Sequence, residues 1–141
     1  MLAAYPAVFI KDADGYSVVF PDLNDLATCG ESLDNAFAMG IDCLAGYLYT
    51  TKKDGEAVKA PSPLSAIDGK RIAAELGEGD AAEIFVNMVT VDVEEYAKKH
   101  FEKAVRKNVT IPAWLNEAAM AKKINFSQAL QDALRSQLGL G

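Results

Sequence analysis

Short β-rich runs open the chain, and from about residue 32 they give way to apolar residues at three- and four-residue steps. AVFI and YSVVF are separated by KDADG, where Asp14-Gly15 supplies a pair tolerant of positive φ, so this stretch predicts a hairpin. FPDL punctuates its end, with Pro21 able to stop the ladder, and a third short strand is expected from Leu26 to Cys29. Ser32 then caps a helix in which Leu33, Phe37, Ile41, Leu44 and Leu48 recur on one face, and that face must pack on the sheet. Met39, Cys43 and Tyr47 flank it at i, i+4 and i+8; such a stripe either widens the core-facing side or offers a surface to another protein. From Lys52 to about Gly79 the composition turns to loop chemistry, KKDGEAVKAPSPL and later GEGD, with room for a short helix over Ile67 to Leu76. AEIFVNMVTV has strand propensity throughout and is expected to return to the sheet as its fourth strand. Asp92 with Glu95 forms a capping box for a short helix reaching about Ala104.

The tail begins with RKNVTIPAWL, Arg106 to Leu115. Because side chains alternate along a strand, Val109 and Ile111 share one face while Arg106, Asn108 and Thr110 share the other. Pro112 fits the first turn of a helix running to about Lys122, with Trp114 or Leu115, Ala118 and Ala119 on its apolar side. After a turn at Lys123 to Asn125, Ser127 is placed to cap a second helix striped by Ala129, Leu130, Ala133, Leu134 and Leu138. A strand followed by two helices in about 35 residues cannot build its own core, and the strand has no ladder partner inside the tail. Pairing with the same strand of a second chain meets both needs, which places Val109, Ile111, Trp114, Leu115, Leu130 and Leu134 in a dimer core. Arg106, Asn108 and Thr110 would then face outward twice on a two-stranded ribbon, a shape that fits the DNA major groove and side chains that can read base edges. Ser127 and Gln128, at the start of the second helix, are candidates for a backbone phosphate, with Lys122 and Lys123 nearby.

Charge sharpens this division. Residues 1 to 97 hold 6 Lys/Arg against 17 Asp/Glu, and residues 98 to 141 hold 8 against 3, so a net −6 separates into −11 and +5. An acidic body and a basic tail suit different partners, something cationic for the first and a polyanion for the second. Cys29 and Cys43 lack CxxC spacing and the single His100 has no metal-binding companion, so both thiols are expected to be reduced structural residues and neither a metal nor a cofactor is expected. The uncharged runs are too short to span a bilayer, and MLAAYPAVFI lacks the pattern of a signal peptide, which implies a cytoplasmic protein with no membrane partner.

VTIPAWL, a short amphipathic helix, a polar turn and NFSQAL together resemble the ribbon-helix-helix family of bacterial and phage repressors over about Arg106 to Leu138. That resemblance implies base contact from Arg106, Asn108 and Thr110 and phosphate contact at the cap of the second helix. The alternative is a helix-turn-helix that reads DNA through Phe126 to Leu138, leaving mainly Gln128, Gln131, Asp132 and Arg135 to face the groove; Asp132 sits poorly beside phosphates.

YPAVF, DGYSVVFPDL and GESLDNAFAMGIDCLAGYL resemble the N-terminal domain of the HicB antitoxins across roughly Leu2 to Leu48, and more loosely to Val91, although Asn24-Asp25 stands where Pro-Gly often follows FPDL. The resemblance implies an α+β chain: a partial ribonuclease H-like sheet with one main helix in a toxin-binding domain over 1–97, a linker helix over 98–105, and a ribbon-helix-helix dimerisation segment over 106–141. It also implies a HicA-like ribonuclease toxin and operator DNA as partners and no catalytic residue; the tail pairing gives a homodimer, and whether bodies also pair into a tetramer stays open. Two other readings stay open. One is a metal-dependent nuclease built on Asp12, Asp14, Asp22 and Asp25, although turn chemistry and surface solvation account for these carboxylates. The other is an orphan repressor without a toxin.

Overall fold

The computed structural model describes residues 2–102 and 104–140. They fall into two compact units, 1–103 and 104–141, each with its own elements. In the first, β1 (Leu2–Asp12), β2 (Gly15–Phe20) and β3 (Leu26–Gly30) form an antiparallel meander, and β4 (Glu83–Asp92) returns antiparallel beside β1, giving the order β3-β2-β1-β4. Asp12 stands opposite Gly15 across the hairpin turn, and the Asp12 carboxylate accepts from the Asp14 N–H at 2.8 Å. Gly15 has φ 149°, and an added Cβ there would collide with the Gly30 carbonyl, so the permissive residue serves the first position of β2. After β2, Pro21–Leu23 make one 3-10 turn and Asn24 and Asp25 both take left-handed φ, 56° and 55°, a conformation these two side chains tolerate better than most.

The 21-residue helix α1 (Leu33–Lys53) starts as the pattern predicts, with the Ser32 hydroxyl accepting from the Asn35 N–H at 3.2 Å. Its buried face is Ala36, Gly40, Leu44 and Ala45, flanked by half-buried Phe37, Ile41 and Leu48; Leu33, expected in the stripe, is 39% exposed. Small residues let the helix approach the sheet, where the buried Phe9 ring stacks on Phe85 at 4.8 Å and meets Phe37 at 4.6 Å. The short helix α2 (Gly69–Glu75) covers the other face, where Ile72 and Ala73 close over Val8, Ile10 and Val19. The expected main helix is therefore joined by a second layer, which explains why β1 is apolar without alternation.

Helix α3 (Val93–His100) is capped by Asp92, which accepts from the Glu95 N–H at 3.2 Å. It stops short of Ala104. The N–H groups of Phe101 and Glu102 both return to the Ala97 carbonyl, and the Phe101 ring turns back to Tyr96 and Tyr49, each at 5.5 Å. No helix spans 98–105 among the described residues, because burying Phe101 against the body ends it. The second unit holds α4 (Ala113–Ala121) and α5 (Phe126–Gln137), preceded by residues 104–112 with neither helix nor strand. Among the described residues no helix is long and apolar enough to cross a membrane.

Register also explains Pro6. It pairs with Met88 of β4, in the part of β1 that extends beyond its pairing with β2. Lacking an N–H, it cannot belong to a hydrogen-bonded pair, so the Met88 N–H must point to the outer edge of β4. There the Asn87 side-chain oxygen accepts it at 2.9 Å, which occupies a donor that an added strand would use. Replacing Asn87 with Val should leave stability within about 1 kcal/mol but yield assemblies larger than wild type in light scattering; an unchanged mass distribution would refute this edge protection.

Candidate protein and nucleic-acid interfaces

The four carboxylates singled out in the body do not converge. Asp22 is 6% exposed, not a solvated turn residue: its carboxylate accepts from the Ser62 N–H and the Ser62 hydroxyl, both at 2.7 Å, and lies 3.2 Å from the Lys59 ammonium. The Tyr5 hydroxyl donates to the Lys59 carbonyl at 2.6 Å, so the 54–63 loop is pinned from both sides. Burial alone would raise the Asp22 pKa, but the Ser62 bonds and then Lys59 outweigh it and hold the carboxyl below its ordinary value. Asp12, Asp14 and Asp25 are exposed, and no group of three or more His, Cys, Asp or Glu among the described residues is arranged to hold a metal ion. Cys29 is exposed rather than buried, whereas Cys43 is half-buried, its thiol pKa raised by burial and then by Asp42.

Among the recesses of the body, two stand out by size. A cleft of about 780 Å³ lies between the start of β1, the end of α1 and α3, floored by Tyr5, Leu48, Val58 and Ala97, with its rim charges joined in part by the Lys52–Glu94 ion pair at 3.6 Å. Its α3 wall is fixed by the Tyr96 hydroxyl, which donates to Asp42 at 2.9 Å, while the Tyr96 ring stacks on His100 at 4.1 Å. Burial, then the bond to Asp42, raises the Tyr96 pKa. A groove of about 600 Å³ lies at the hairpin end, between the β1–β2 turn, the end of β3 and the first turns of α1, lined by Asp12, Asp14, Tyr16, Glu31, Asn35 and Met39.

In the second unit every residue expected to touch DNA is exposed: Arg106, Asn108 and Thr110 in the stretch without regular structure, Ser127 and Gln128 on α5. The cap of α5 is Asn125, whose side chain accepts from the Gln128 N–H at 3.0 Å; Ser127 lies inside the first turn. Lys123 at φ 56° ends α4, with its N–H on Met120 and that of Ile124 on Ala119, and this return places Asn125 at the helix entrance before Ser127. The Gln128 amide is thus already satisfied and its side chain donates to Asp132 at 2.9 Å, which leaves the Phe126 and Ser127 amides as those no intrahelical carbonyl can reach. The residues assigned to a dimer core are uncovered: Val109 is 66% exposed, Trp114 69% and Leu134 50%, with Ile111, Leu115 and Leu130 also exposed. None of the described residues from 104 to 140 is buried.

A family model of the HicB-like antitoxin of bacterial toxin–antitoxin systems matches residues 5–137, the body and both tail helices together. The chain belongs to that family. A solved toxin–antitoxin complex from Streptococcus pneumoniae contains a chain 30% identical, with 97% of this chain and 99% of that one covered and a TM-score of 0.63. A HicA3 and HicB3 toxin–antitoxin complex contains a chain of similar fold, 16% identical over 61% of this chain and 94% of that one, with a TM-score of 0.50. No curated protein matched the chain. The fold of this HicB-like antitoxin is mixed, a four-stranded antiparallel sheet with five helices.

The Asp22 clasp carries a pH signature. Its depressed folded pKa means that the stabilisation is full above the unfolded value, near 4, and is lost as pH falls through the folded value. Asp22→Ala should lower stability by roughly 2–3 kcal/mol at neutral pH, and the gap to wild type should narrow in thermal melts below about pH 4. A gap constant with pH would show that the carboxylate charge contributes nothing.

Proposed function

We propose that this HicB-like antitoxin binds and neutralises a HicA-type ribonuclease toxin through its acidic body and, as a dimer, represses its own operon through its tail. The body is read as a partial ribonuclease H-like scaffold, the β1–β2–β3 meander with α1, used for binding and not for catalysis. With Asp22 committed to Ser62 and Lys59, the carboxylates weighed for a nuclease lose the member nearest the core. The toxin is inhibited sterically, by covering its RNA-binding or catalytic surface. Two tails pair through 106–111 as a ribbon over a four-helix core, and the dimers can join further into tetramers in a cytoplasmic complex.

The observation that carries the repressor half is the tail's lack of any buried residue among those described. Two amphipathic helices with exposed Trp114, Leu115, Leu130, Leu134 and Leu138 do not persist alone in water. A second copy covers them and supplies the ladder partner that 106–111 lacks. The paired ribbon then presents Arg106, Asn108 and Thr110 to base edges, while α5 offers the Ser127 amide to a phosphate. The Gln128 amide is excluded from that role because Asn125 holds it.

Gel-shift titrations against DNA from the chain's own promoter test this reading. Alanine at Arg106, Asn108 or Thr110 should weaken specific binding by ~1–3 kcal/mol for each side chain that reads a base edge, alanine at Gln131 and Arg135 should do little, and added salt should weaken binding steeply. The reverse pattern, with Gln131 and Arg135 critical, would establish a helix-turn-helix instead.

A further inference from the structure

We infer that the groove at the hairpin end of the sheet is the surface on which the antitoxin body receives its toxin, and that it takes a cationic protein segment bearing an apolar anchor. This rests on the antitoxin reading and adds the place and chemistry of the contact. The topology gathers the pieces: β1 ends at Asp12, β2 begins at Gly15, β3 ends at Gly30 and α1 begins at Leu33, all at the same end of the sheet. Along the groove of about 600 Å³, Tyr16 and Met39 supply apolar floor while Asp12, Asp14 and Glu31 stand on the rim. Met39 is 38% exposed although it lies on the principal helix of the body, which is the outcome expected of a contact residue and not of a core stripe. Leu33, one turn from the groove, is exposed as well.

The electrostatics select the occupant. Among the described residues, Lys52 with Glu94, Lys59 with Asp22, Arg71 with Glu75 and Lys98 with Glu95 are ion pairs, and none of them involves the hairpin-end carboxylates. Lys11, next to the turn, stands opposite Glu83 in register. The carboxylates at this groove are thus among those outside these ion pairs, while the larger apolar cleft beside α3 has its rim partly self-paired. An acidic partner would meet repulsion here, and a neutral one would desolvate the carboxylates without a compensating charge. A surface that grips RNA is cationic by necessity, and carboxylates beside an apolar floor can hold such a surface in place of phosphates beside bases. The free outer edge of β3, the last strand in the sheet order, borders the same groove and gives the partner room to approach.

The experiment uses the intact chain and, as probe, the product of the neighbouring reading frame, purified with its own activity disabled. Binding of wild type is measured first by calorimetry, and growth rescue against the active probe is scored in parallel. The double variant Asp14→Lys/Glu31→Lys and the single variant Met39→Lys should each bind at least about tenfold more weakly, with a flatter salt dependence for the double variant. Their melting temperatures and DNA binding should match wild type. Asp54→Lys/Glu56→Lys, which makes the same change of net charge away from the groove, should bind like wild type. Equal affinity of wild type and groove variants, or an equal loss in the Asp54/Glu56 control, would overturn the groove assignment while leaving the antitoxin reading intact. Failure of wild type itself to bind or rescue would instead remove the toxin partnership on which the assignment rests.

Discussion

A tail that buries none of its described apolar side chains is the constraint on which the proposed organisation of this protein depends. Burying a Leu or Trp side chain contributes on the order of 1.5–3 kcal/mol, and a unit of this size that buries none has no favourable term to set against the ordering of its chain. Three of the four helix ends in the tail are nonetheless closed locally, while Pro112 gives the start of α4 no side-chain cap. Asn125 opens α5, Lys123 and Gly139 close α4 and α5 in left-handed conformations, and the returning amides of Ile124 and Leu140 satisfy the last carbonyls. Local capping is largely in place while no described tail residue is buried, which fits the proposed completion by a second copy.

The body has the opposite character. Helices cover both faces of its sheet, the Phe9, Phe37 and Phe85 rings fill the centre, and the loop after α1 is clasped by Asp22. With Asn87 occupying a donor on the outer edge of β4, self-association through that edge is discouraged. Under the proposed function, recognition of protein and of nucleic acid is divided between units of unlike charge, so that a cationic protein and a polyanion do not compete for the same groups.

Elements with strong local signals were legible: the hairpin, the Ser32 cap, the α1 helix, the fourth strand and the Asp92 cap all follow from residue type and spacing. What escaped depended on distant partners. Pattern reasoning favours large residues, so it placed Leu33 in the core and overlooked Ala36, Gly40 and Ala45, whose smallness sets the helix-to-sheet distance. Asp22 looked like a surface turn residue because Ser62, its partner, lies 40 positions away. Ser127 and Asn125 are both good caps, and the turn closed by Lys123 decided between them. The alternation of 106–111 and the charge of the tail are properties of the sequence, although that stretch forms no strand, whereas the hairpin-end groove required knowing which strand ends the topology brings together.

Sedimentation equilibrium on the intact chain across the micromolar range addresses the central claim most directly, read together with amide hydrogen exchange of 106–111. Completion by a twin predicts a dimer or a larger even-numbered assembly, with protected amides in that stretch that lose protection on dilution. A monomer at every concentration, with the stretch exchanging freely, would contradict it.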